Sequence, residues 1–193
     1  MNRLLALLIL PLSFSLQAAP EPEKASMRTR AGLYLDARET HKMISSPAGR
    51  EVVLIDVRDA VEIKFTGYTD MTDIHVPWKI IDSSKWDAKK QSYGGYINPH
   101  FSEEVSARLK ALGVSKDAHV IFMCRSGSTR SAPAADELYA AGYSNVYSMV
   151  DGFQGGKIKT GSHKGARIKD GWKNSDLPWG WSLEKDVMYD LTP

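Results

Sequence analysis

The chain predicts an α/β domain built on a mainly parallel sheet, and three observations carry that expectation. "EVVLIDVRD" (51–59) and "AHVIFMC" (118–124) are continuous apolar runs rich in branched residues, the pattern of strands buried on both faces. Stretches with helical spacing stand between such runs, so strand and helix alternate. The chain has 193 residues, 42% hydrophobic and 25% charged, enough for the core of one compact domain and unlike a disordered or fibrous protein.

The elements follow in order. After a polar leader to about Arg30, "LDARETHKMI" (35–44) has helical spacing with Asp36 placed to cap it. The buried strand 51–59 comes next, then a short helix in "DAVEIKF" (59–65) and a short strand in "DIHVPW" (73–78), closed by Pro77. Residues 82–100 read as a long loop of the ligand-facing kind. "SEEVSARLKALG" (102–113) is a helix with Ser102 as cap, Val105, Leu109 and Leu112 on one side, and Gly113 as its stop. The second buried strand, a helix over 130–142 stopped at Gly142, and a strand in "NVYSMV" (145–150) complete the pattern before "DGFQGG". Residues 157–170 are glycine-rich and basic. Residues 171–193 form an irregular tail whose Trp172, Trp179 and Trp181 are read as packing rather than a substrate platform.

Residues 1–18 have a secretory signal layout: Arg3, an apolar run from Leu4 to Leu16, then small residues at Ala18 and Ala19. The run is short for a bilayer crossing of about 20 residues, so cleavage and no stable membrane insertion are expected, with residues 19–30 as leader and 31–193 as the domain. Of 25 basic and 23 acidic side chains the signal removes only Arg3, which leaves charges nearly balanced and argues against nucleic acid as a partner. The expected compartment is the periplasm. There one cysteine cannot pair within its own chain, so its presence is better explained by chemistry than by packing.

That cysteine, Cys124, stands where a buried strand ends and a helix begins, the edge of a parallel sheet where ligands bind. Arg125, Ser126, Gly127, Ser128, Thr129 and Arg130 follow it. The small residues let the backbone curl so that successive amides point inward as an anion nest, and the helix start adds its own unpaired NH groups. Pro133 is tolerated in the first turn, where its missing NH would be unpaired anyway. These features favour a thiolate, because cysteines at helix starts or beside cations have pKa values lowered from about 8.5. Arg125 is placed to meet an anionic donor, and Arg130 to aim back into the loop. Asp56 and Arg58 are read as structural, shaping the rim, with Arg58 and Glu62 at helical ion-pair spacing. His75, His100, His119 and His163 form no ligand cluster, and no metal is expected.

Taken together, "LIDVRDAVEIKFTG", "MCRSGSTRSA" and "DGFQGG" followed by "GWKNSDLPW" resemble the rhodanese family of sulfurtransferases over residues 35–182. The resemblance implies a three-layer domain with a five-stranded, mainly parallel sheet flanked by helices. It further implies that Cys124 takes sulfane sulfur from a donor such as thiosulfate, holds it as a persulfide, and passes it to cyanide, a thiol or a protein acceptor. No cofactor or metal is implied. The chain departs from the family where many members have "GHI" and it reads "GYTDMTDIHVPW", and in its C-x5-R loop, one residue longer than the commonest form. That length resembles the loops of cell-cycle phosphatases and arsenate reductases on the same fold. A phosphatase needs an acid for the leaving oxygen, none lies between Cys124 and Arg130, and sequence does not place Asp70 or Asp73. A non-catalytic sulfur carrier is the third alternative.

Overall fold

The computed structural model describes residues 18–46 and 51–190. The expected signal peptide, apart from Ala18, lies outside them. Among the described residues, no helix is long and apolar enough to cross a membrane.

Five parallel strands form the central sheet in the order β1 (Leu33–Leu35), β7 (Val146–Met149), β6 (His119–Met123), β2 (Val52–Asp56), β3 (Ile74–His75). β2 and β6 pair over five residues from Val52 opposite His119 to Asp56 opposite Met123. Both are buried on both faces. Val53, Ile55, Val120, Phe122 and Cys124 join a core with α3 (Phe101–Ala111) and α4 (Ser131–Ala140), while Leu54, Ile121 and Met123 join another with Met43 of α1 (Ala37–Ile44), Phe153 and Trp172. This alternation in two continuous apolar runs makes the fold three layers thick.

The chain leaves β2 through α2 (Ala60–Thr66) toward β3, and leaves β6 through α4 toward β7 on the other side. The two central neighbours are thus the point where strand order reverses, and a crevice opens at their carboxyl ends. Asp56 ends β2 there, and Cys124 follows β6.

Two expectations are corrected and one element is added. The segment 82–100 is not a long loop, since β4 (Lys79–Asp87) and β5 (Ser92–Ile97) pair as an antiparallel hairpin, with irregular register between Asp82 and Trp86. The Asp59 carboxylate ties the hairpin down by accepting from the Ile81 amide at 2.8 Å while also capping α2 through Val61. Ser102 is not the cap of α3. The helix starts at Phe101, and the turn before it is set by Asn98, which accepts from the His100 amide and donates to Glu104. The edge strand β1, only three residues long, precedes the first expected element.

The tail is pinned rather than loose. Trp172 is fully buried and donates its indole NH to the Pro178 carbonyl, and Asn174 donates to the carbonyls of Gln154, Arg167 and Asp170. Further on, the tail closes the open edge of the sheet. The His75 amide donates to the Val187 carbonyl, and the His75 ring accepts from the Tyr189 amide through Nδ1 at 3.1 Å. Nδ1 being an acceptor, Nε2 carries the proton and donates to the Arg58 carbonyl at 2.8 Å. The ring is therefore neutral, and burial holds it below the ordinary histidine range. Below about pH 6.5 the unfolded chain takes up a proton that the folded one refuses, so this contribution is full above that pH and lost as pH falls toward the folded value. Buried Asp151, pushed up to about 7, works in the opposite direction over part of that window. The measurement is therefore a difference: Tm of the wild type should fall more steeply than that of His75→Gln between pH 7 and about pH 5. Parallel curves would remove His75 from the balance.

Candidate active site

Cys124 has its side chain on the α3/α4 face of the sheet, beneath the start of α4, and the residue is 1% exposed. Its carbonyl accepts from the Phe153 amide at 2.8 Å, and the Arg125 carbonyl from that of Gln154 at 2.8 Å. The loop is thereby laid against "DGFQGG". Two glycines permit the fit. A Cβ on Gly127 would stand 2.0 Å from the Val150 carbonyl oxygen, and one on Gly152 would stand 2.4 Å from that of Cys124, with φ near +64° at both. No side chain larger than hydrogen is compatible with that approach.

The thiol is buried, which on its own raises its pKa. The Arg130 charge, the Ser131 hydroxyl and the backbone amides of Ser126 and Ser131 outweigh burial and hold the thiol below its ordinary value. The expected nest is therefore present in part. Its donors are one loop amide and the first amide of α4, which like every amide of a helix's first turn has no acceptor within the helix.

Arg130 reaches the sulfur through charge, not contact. Its guanidinium is clasped by both carboxylate oxygens of Glu62, Nη2 donating to Oε1 at 2.9 Å and Nη1 to Oε2. Burial acts to raise the Glu62 carboxyl, but the bonds and charge of Arg130 prevail and keep it ionised. This corrects the expected Arg58–Glu62 pair: Glu62 belongs to Arg130, 68 residues away, and Arg58 belongs to Asp56. The shared strand end brings the latter pair together, with Nε and Nη2 of Arg58 on the carboxylate at 2.6–3.0 Å. Asp56 and Arg58 are 0% exposed and lie in the core, not on the rim. Replacing Arg130 by Met should move the thiolate absorbance titration of Cys124 to higher pH than in the wild type. An unchanged midpoint would leave the amides and the Ser131 hydroxyl as the sole cause.

Around the loop, Arg125 donates Nε to Gln154 at 2.7 Å, the hydroxyls of Ser126 and Ser128 bond each other at 3.0 Å, and Thr129 is exposed. Thr129 and Arg130 face a cavity of about 580 Å³, walled on its far side by the hairpin through Ile81, Tyr93 and Ile97. A second cavity of about 410 Å³ adjoins Ser126 and Ser128 on the side of the basic segment. Asp73 accepts from the Leu54 amide and Asp70 is exposed beside the tail, so neither serves the loop. Sequence reasoning missed Glu62, Ser131 and Gln154. Only Ser131, adjacent to the loop, carried a signal.

The rhodanese-like domain model matches residues 36–159, and the chain belongs to the rhodanese-like domain family. The crystal structure of Rv0390 from M. tuberculosis is similar, with TM-score 0.57 and 27% identity over 76% of this chain and 96% of that one. Uncharacterized protein RC0915 of Rickettsia conorii is 39% identical over 126 residues, 65% of this chain and 80% of that protein. Uncharacterized protein RP600 of Rickettsia prowazekii is 32% identical over 83 residues, 43% of this chain, and the match spans only 56% of that relative.

Proposed function

We propose that the protein is a periplasmic sulfurtransferase that moves sulfane sulfur from a small anionic donor such as thiosulfate to cyanide, a thiol or a protein acceptor through a persulfide on Cys124. The observation that carries this reading is the buried thiol at the carboxyl end of β6, in a loop that ends at the Arg130–Glu62 pair, where the Arg130 charge and the polar groups of Ser126 and Ser131 hold it below its ordinary pKa. In the first step the thiolate attacks the outer sulfur of thiosulfate, the S–S bond breaks, and sulfite leaves with its electron pair. The donors that favoured the thiolate then hold the negative end of the persulfide, as an oxyanion hole holds an oxygen. With the cysteine 1% exposed, the terminal sulfur is the part of the donor suited to entering, while the sulfonate stays with Arg125 at the mouth. An acceptor nucleophile then attacks the outer sulfur and Cys124 departs as thiolate, so the chemistry needs no metal or cofactor. Export rests on the signal-like layout of residues 1–18 and on the use of a single thiol. Intact mass after incubation with thiosulfate tests the reading: one added sulfur, removable by cyanide, is expected. An unchanged mass would overturn it.

A second reading, phosphatase or arsenate reductase chemistry, is favoured by the C-x5-R spacing and by one acid. Asp151 lines the cavity beside Ser126 and Ser128, and burial pushes it up to about 7, so it can carry a proton. Against it stands the burial of Cys124, 1% exposed, since a tetrahedral phosphate must enter the cradle whole. Aryl phosphate hydrolysis lost in Asp151→Asn, with no thiocyanate formed from thiosulfate and cyanide, would reverse the order of the two readings. A carrier without turnover would take up one sulfur yet form no more than one thiocyanate per chain.

A further inference from the structure

We propose that the bay between the active-site loop and the basic segment binds the carboxylate-bearing end of a low-molecular-mass thiol, the second substrate of the sulfur transfer. The acceptor role rests on the function proposed above; the binding site does not. The bay is about 410 Å³, with Ser126 and Ser128 on one wall and Lys24, Lys157, Lys159 and Arg167 on the others. Ser126, whose amide helps hold the Cys124 thiol below its ordinary pKa, places the bay two residues from the nucleophile.

The cations outnumber the acids of the bay, four to two. Among the described residues, no ion pair engages Arg125, Arg167, Lys24, Lys157 or Lys159. Arg167 is the sharpest case: its Nη1 donates to the Gly155 carbonyl, and its Nε is buried with no partner. Burial and the like charge of Arg125 act to lower its pKa and prevail over the opposite pull of Cys124 and Glu62. The two acids in the wall do not cancel this surplus. Asp170 accepts from the Gly156 amide at 2.6 Å and faces Lys169, and Asp151 is pushed up to about 7 by burial. The segment is also held in place, because the Ile158 amide donates to the Ala166 carbonyl and the Ile158 carbonyl accepts from the Gly165 amide across its neck, while Asn174 grips the Arg167 carbonyl.

Thiosulfate has one sulfonate, for which Arg125 and the loop suffice. A bay of this volume with an unpaired cationic surplus fits a peptide-sized molecule with more than one carboxylate. With such a thiol seated, its thiolate attacks the outer sulfur of the Cys124 persulfide. The new bond joins the two sulfurs of the product persulfide, the Cys124 S–S bond breaks, and Cys124 leaves with the electron pair.

The test uses S-methylglutathione, an unreactive thioether with two carboxylates, titrated calorimetrically into the full protein and into Cys124→Ser. Saturable binding is expected in both, weakened about tenfold in Arg167→Gln and by esterifying the carboxylates. In turnover, the preference in kcat/KM for glutathione over its diethyl ester should fall by about the same factor in Arg167→Gln. No saturable binding, or equal binding of acid and ester, overturns the site. Failure of thiosulfate to load Cys124 while S-methylglutathione still binds removes the proposed reaction and leaves the bay standing.

Discussion

Cys124→Ser should abolish sulfur loading and lower thiosulfate-to-cyanide turnover by at least about a thousandfold, while the protein stays folded. The loss is chemical. A serine hydroxyl is not ionised near neutral pH, is a poor nucleophile toward sulfur, and forms no persulfide. The fold survives because the position is already furnished for a polar atom: the Ser131 hydroxyl, buried without a hydrogen-bond partner, and the Ser126 and Ser131 amides lie near the thiol and can bond an oxygen. Activity, intact mass and thermal unfolding measured on one preparation separate these claims. Turnover within tenfold of wild type would remove Cys124 from the reaction, and a collapse of Tm would show the cysteine to be needed for packing.

Asp56→Ala should cost about 3–5 kcal/mol of stability, a large share of the roughly 5–15 kcal/mol that holds a domain together. Arg58 is 0% exposed. Its guanidinium bonds Asp56 through Nε and Nη2, Thr66 and the Gly67 carbonyl through Nη1, and stacks 4.0 Å over the Phe153 ring. Removing the carboxylate leaves a buried cation with neutral partners only, which is far costlier than removing both charges. The double variant Asp56→Ala, Arg58→Met should therefore recover part of the loss. Urea unfolding measures both, and a single-variant cost below about 1 kcal/mol would show that water or a rearranged side chain compensates the arginine.

Which parts could be read from the chain follows from how far apart the interacting residues lie. Val52–Asp56 and His119–Met123 announce buried parallel strands because both their faces are covered, so every position except His119 at one start and Asp56 at the other end is apolar. The loop from Cys124 to Arg130 is equally local: its geometry depends on the strand before it, the helix after it and the small residues between. The hairpin escaped because its pattern is the opposite of a core strand. Trp86, Tyr93 and Ile97 are all more than half exposed, so no alternation marks an inner face, and paired glycines suggest a loop. β1 escaped by brevity. The partners of Arg58 and Glu62 were misjudged because helical spacing was applied to Arg58, which lies before the helix, where the chain turns it back onto Asp56. Contacts such as Glu62 with Arg130 leave no trace in one sequence.

Glu62 closes two structures at once: its Oε2 accepts from the Asp59 amide to complete the capping box of α2, and the same carboxylate clasps Arg130. The acidity of the sulfur is thereby mechanically geared to a short helix on a different strand connection. A partner that merely tilted α2 would change how strongly the thiol holds its proton, without ever touching it.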